Sequence, residues 1–189
     1  MPNAPYMSTR TRIVAVAIAA AILLALTPTP RATADPPQFD EGAGLPTVGN
    51  FNPVTLNGTD QLTSATIAPF VITDSSGSGA GWNVTMQVPS FHNGSGADCS
   101  VGSTASIAGA NVSMNPPIVT AGDGTTSMTG VTAAGFTDFT NPRTIIDAAA
   151  GDGAGTYDVA PEIVRLIVPA DSAIGTYCTQ ATIAITSGP

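Results

Sequence analysis

The stretch WNVTMQV (Trp82–Val88) alternates apolar and polar side chains without a break. Successive side chains of a strand point to opposite faces, so Trp82, Val84, Met86 and Val88 share one side and Asn83, Thr85 and Gln87 the other. This pattern predicts a half-buried antiparallel strand, one face packed and one wet, ended by Pro89. From Val54 onward the composition agrees: Val, Ile and Thr are abundant, Leu is scarce and Lys is missing. No window carries a capped 3.6-residue apolar period, and the nearest helix-like fragment, IIDAAAGDGAG, has no charged face.

Three further runs read as strands. ATIAPFVITD has strand composition, with Pro69 arguing for an edge position or a bulge. IVRLIVP puts Val164, Leu166 and Val168 on one side. YCTQATIAITS puts Tyr177, Thr179, Ala181, Ile183 and Ile185 on one face and Cys178 on the other. Between Ser100 and Thr140, ANVSM, PIVTA and MTGVTA read as short strands or connections. The fold class expected is all-β, a mainly antiparallel sandwich or barrel-like single domain.

One motif occurs twice, as GSGAGW (Gly77–Trp82) and GDGAGT (Gly151–Thr156). A phosphate-binding glycine loop needs a helix after it and a third glycine where that helix packs. Here tryptophan holds that place and a strand follows, so each copy is expected to be the turn of a β-hairpin. The repeat extends beyond the turn, pairing Trp82 with Tyr157 and Val84 with Val159.

The first residues read as an export signal. Arg10 and Arg12 precede the apolar run Ile13–Leu26, and Ala32 and Ala34 then hold the small-residue positions of a cleavage site. The run is too short for the roughly 20 residues that span a bilayer. We therefore expect residues 1–34 to be a secretory signal peptide cut between Ala34 and Asp35. Residues 35–52, rich in Pro and Gly, read as leader or linker, and residues 53–189 as the β domain. Past residue 34 the chain holds two arginines, no lysine and thirteen acids, a net charge of −11. Binding to nucleic acid and to anionic lipid rests on Lys and Arg, so neither partner fits such a chain. In an exported chain, the pair Cys99 and Cys178 is most simply one disulfide; closing so long a loop is worth about 4.5 kcal/mol on chain entropy alone.

Residues that carry catalysis are sparse. His92, the one histidine, follows a strand end and reads as a loop residue rather than a general base. No G-x-S-x-G elbow occurs, and one Trp with few Tyr is poor provision for a sugar-cleaving cleft. Asp123, Asp152 and Asp158 sit in turns where calcium ligands could gather, but their spacing fits no calcium loop and they read as solvated carboxylates. The N-x-S/T triplets at Asn57, Asn83, Asn93 and Asn111 receive no role. We expect a non-catalytic protein with no cofactor and no metal.

An aspartate, a glycine-rich turn, GW and an alternating strand together resemble the first signature of the WxL domain family of bacterial surface proteins. VTLNGTDQLTSATIAPFVITDSSGSGAGWNVTMQVPSF is similar to the family's opening half, and GAGTYDV…VPA…GTYCTQATIAI to its closing half. The resemblance spans roughly Val54–Thr186. It implies a secreted β-rich protein at the cell envelope, attached non-covalently to peptidoglycan, with no membrane contact after cleavage. The family's second signature, a tryptophan in the last strand, is missing from ATIAIT. Trp82 and its repeat partner Tyr157 are the candidate binding residues. Trp82 reads most easily as core, because exposing it would expose three apolar neighbours. The other reading is an assembly subunit that meets another surface protein through its edge strands.

Overall fold

The computed structural model describes residues 35–94 and 105–188, which fall in one compact unit. In chain order the strands are β1 (Gln38–Phe39), β2 (Gln61–Ile67), β3 (Phe70–Asp74), β4 (Trp82–Gln87) and β5 (Phe91–Asn93). β6 (Ser106–Ile107), a single 3-10 turn (Gly109–Asn111), β7 (Val112–Met114), β8 (Val119–Ala121) and β9 (Val131–Ala133) follow. β10 (Arg143–Ala148), β11 (Gly155–Val159), β12 (Glu162–Val168), β13 (Tyr177–Cys178) and β14 (Thr182–Ser187) complete the set. The expected all-β class holds: no α-helix occurs among the described residues, and the strand pairs are all antiparallel.

Two four-stranded sheets, ordered β1-β3-β11-β8 and β14-β4-β10-β9, form the two layers around the repeated motif. Two three-stranded sheets, β2-β12-β7 and β13-β5-β6, extend the fold. Their inner faces share one apolar core that includes Ile72, Trp82, Val84, Met86, Ile146, Tyr157, Val164 and Leu166. The alternation along β4 and β12 therefore reports the faces correctly: Trp82, Val84 and Met86 are buried, as are Val164, Leu166 and Val168. In β10 the register against β4 shifts between Thr144 and Ile146. This irregularity lets two consecutive isoleucines, Ile145 and Ile146, both reach the interior.

Three expectations need correction. The glycine turns are not hairpins: β3 and β4 lie in different sheets, and so do β10 and β11. Each turn instead carries the chain from one layer to the other. β3 pairs with β11 and β4 with β10, so the two copies of the motif face each other about an approximate two-fold axis. A glycine turn announces a reversal; which strand lies alongside is decided by contacts distant in sequence. The run ATIAPFVITD is likewise two strands, since Pro69 lacks the N–H a ladder needs and the chain changes sheet there. YCTQATIAITS divides into β13 and β14, although Tyr177, Ala181, Ile183 and Ile185 stay in phase and all pack against the core.

Residues 35–52, read as leader or linker, lie along the domain. β1 pairs with β3, and the Phe39 ring meets Phe70 edge-on at 5.5 Å. Val48 bridges Ile67, and the Gly49 and Asn52 N–H groups donate to the Thr66 and Ser64 carbonyls, covering the outer edge of β2. Three apolar side chains in this segment, Phe39, Val48 and Phe51, give it enough to bury.

Candidate functional site

The two glycine turns meet at one end of the sandwich, where the Gly151 N–H donates to the Gly79 carbonyl at 2.8 Å. Beneath them the Trp82 and Tyr157 rings contact edge-to-face, with centroids 5.4 Å apart and planes at 64°. The Trp82 indole Nε1–H donates to the Gly153 carbonyl at 2.8 Å, so each turn is held by the other's neighbour. Glycine is required at 153: φ is +85°, and a Cβ would stand 2.6 Å from the Ala148 side chain and 2.7 Å from Trp82 Nε1. The Tyr157 hydroxyl donates to the Ser127 and Ala154 carbonyls at 3.1 and 3.3 Å. Burial raises its pKa above the ordinary tyrosine value, and the nearby carboxylates of Asp152, Asp74 and Asp123 push it the same way.

Both rings are 0% exposed. Trp82 and Tyr157 thus lie in the core, the placement the alternation along β4 favours for Trp82. The pairing read from the repeat becomes a physical contact, which joins the layers and does not face solvent.

The other sequence-derived candidates are scattered. Asp123 caps its own turn, with Oδ1 accepting the Thr125 and Thr126 N–H groups at 2.9 and 2.6 Å. Its pKa is lowered to about 2, first by the Thr126 hydroxyl and then by those two backbone donors. Asp158 is exposed on β11 and Asp152 is half-buried in the second glycine turn. Among the described residues no three His, Cys, Asp or Glu side chains gather as a metal-ligand set. His92 is half-buried on β5, directly opposite Cys178 of β13. Cys99 and Ala34 lie outside the described residues, and Asp35 is exposed at their start. Three of the triplet asparagines have local structural work. Asn57 Oδ1 accepts from Thr59 and Gln61, Asn83 Nδ2 donates to the Gly188 carbonyl at 2.7 Å, and Asn93 Nδ2 donates to the Ile174 carbonyl at 3.3 Å.

The face that sequence reasoning missed is the outward side of β2 and β12. Leu62, Ile163 and Ile167 are 65%, 51% and 43% exposed there, and Leu62 sits directly opposite Ile167. Arg165 stands between the two isoleucines, opposite Ser64. A shallow groove of about 330 Å³ runs beside it, bounded by Asn52, Pro53 and Val54 on one side and by Leu62, Ile163 and Arg165 on the other. The signal was present in IVRLIVP, where two of the three outward positions, Ile163 and Ile167, are also apolar. A strand with apolar residues on both faces ordinarily lies between two covered layers, so periodicity alone does not single out an open face.

Residues 51–189 match the family model described as WxL domain surface cell wall-binding. The chain belongs to the WxL domain family. No curated protein and no solved structure matches it. In this WxL domain the signature residue Trp82 is a buried link between layers. The last strand, β14, carries Ile183 and Ile185 on its core-facing side and no tryptophan.

Proposed function

We propose that this WxL domain is a secreted, non-catalytic module that associates non-covalently with the peptidoglycan of the cell wall. The match of residues 51–189 to a surface cell wall-binding family carries the reading. The export pattern of residues 1–34 supports an extracellular location. In that setting Cys178, on β13, pairs with Cys99 in one disulfide. Attachment is weak and multivalent. With thirteen acids against two arginines past residue 34, contact with anionic wall polymers needs a bridging divalent cation. The test is co-sedimentation of the purified protein with purified peptidoglycan, with and without calcium. Retention that calcium strengthens is expected; no retention in either condition would remove the reading.

A second reading is favoured by β14. This uncharged, proline-free strand pairs with β4 on one side only and forms the margin of its sheet. Such an edge offers backbone donors and acceptors to a partner strand, which suits a subunit of an extracellular assembly. Recovery of one defined surface protein, lost when proline replaces Ala184, would favour it over wall binding.

A further inference from the structure

Among the described residues, the outward face of β12 is left uncovered at Ile163 and Ile167. Along the strand, Glu162, Val164, Leu166 and Val168 are buried, while Ile163 and Ile167 point outward and remain about half exposed, with Leu62 of β2 beside Ile167. Scattered single apolar residues are ordinary on a protein surface; here Leu62 and Ile163 line the groove and Ile167 adjoins Leu62, so the three form one patch on adjoining strands. At the centre stands Arg165. Of the two arginines past residue 34, Arg143 is committed: its guanidinium lies 3.6 Å from the Asp138 carboxylate, its Nε–H donates to the Asp138 carbonyl, and it stacks over the Phe136 ring. Arg165 is half-buried, and no ion pair, hydrogen bond or ring contact engages its guanidinium among the described residues. Its outward neighbours on the paired strands are Ser64, Thr66 and Ser113, none of them acidic. An uncommitted cation flanked along its strand by Ile163 and Ile167, on a strongly acidic chain, is charge-complementary to a carboxylate set between apolar side chains.

We propose that the groove beside β2 and β12 docks an extended acidic–apolar segment of another polypeptide, whose carboxylate pairs with Arg165 while flanking aliphatic side chains cover Leu62, Ile163 and Ile167. The chemistry selects this occupant over the others. Sugars stack on aromatic platforms, and every residue lining the groove is aliphatic or polar. A second copy, related by a two-fold axis, would bring Arg165 toward Arg165 and two acidic molecules together. The groove volume of about 330 Å³ lies at the small end of ligand sites, the size of a few side chains and not of a domain face. The docked segment is distinct from any wall polymer, so this inference stands apart from the peptidoglycan reading.

The test uses the purified isotope-labelled protein and the synthetic peptide acetyl-Ile-Val-Asp-Val-Ile-amide, with its Asn and Lys counterparts. The Asp peptide is expected to shift the amide signals of Ser64, Ile163, Arg165 and Ile167. Affinity should fall about tenfold or more for the Asn peptide, and by as much for Arg165→Gln, because a docked carboxylate then loses its partner. Leu62→Ser, at an exposed position that leaves the fold alone, should weaken the Asp peptide to a lesser degree. Equal responses to all three peptides, or no response to the Asp peptide at millimolar concentration, would overturn the proposal. So would shifts of the same signals caused only by soluble peptidoglycan fragments, which would give the face to the wall. Shifts that appear with protein concentration alone would give it to a second copy and overturn it equally. Peptidoglycan retention unchanged in Arg165→Gln would leave the wall reading untouched whichever way the peptide result falls.

Discussion

At the residue scale, the signature tryptophan acts through packing. Trp82 fills the interior between the layers, meets Tyr157 edge-on and spends its one polar group on the Gly153 carbonyl. Trp82→Ala removes a large buried ring, and the expected loss is about 3–5 kcal/mol of stability. Trp82→Phe keeps much of the packing but strands the Gly153 carbonyl, and should cost about 1–3 kcal/mol. Urea unfolding followed by circular dichroism measures both; a Phe variant as unstable as the Ala variant would contradict the assignment. Tyr157 makes the site sensitive to alkali. Its folded pKa is raised above 10.0, by burial first and neighbouring carboxylates second, so the neutral form is the one the fold prefers. The stabilisation is fully present below pH 10.0 and is lost as pH rises through the higher folded value. Stability should therefore fall above about pH 10, and Tyr157→Phe should flatten that fall. An alkaline profile identical in the two proteins would count against it.

At the scale of elements, what the sequence made legible was orientation, and what it hid was partnership. The alternation in WNVTMQV identifies the buried side of β4 because side-chain direction is a local property of the backbone. Pairing is not local. GSGAGW and GDGAGT look like hairpin turns, yet each hands the chain to the opposite layer, and only the meeting of Gly79 with Gly151 reveals why the motif occurs twice. The candidate site divides in the same way. Trp82 and Tyr157 could be paired from the repeat, but whether that pair faced ligand or core depended on the second layer. Leu62, Ile163 and Arg165 escaped notice because β12 carries isoleucines on its outward side as well as apolar residues on its buried side, which blurs the two-residue period. The turns themselves should tolerate little change. Gly153→Ala places a Cβ against Ala148 and the indole at a positive φ, so it should destabilise by more than the roughly 1 kcal/mol of an ordinary glycine effect. Alanine at Gly58, whose φ is also positive but which has open space around it, supplies the control; equal losses at the two positions would refute the packing argument.

At the scale of the whole molecule, the chain is an acidic β sandwich whose edges are partly covered by the segment that precedes β2. Residues 35–52 shield β2, one way in which β proteins blunt an exposed margin. The proposed Cys99–Cys178 disulfide adds a covalent clip, and alkylation without reductant followed by mass spectrometry should find neither cysteine labelled; two labelled cysteines would remove it. If this domain attaches to the wall, it does so with its signature residue Trp82 packed in the core. This claim is tested most directly by comparing peptidoglycan retention of the wild-type protein and Trp82→Phe at a temperature where both are folded. Both should be retained, and to the same extent per folded molecule. A wild-type protein that stays in solution, or a folded Trp82→Phe that no longer sediments with the wall, would contradict it.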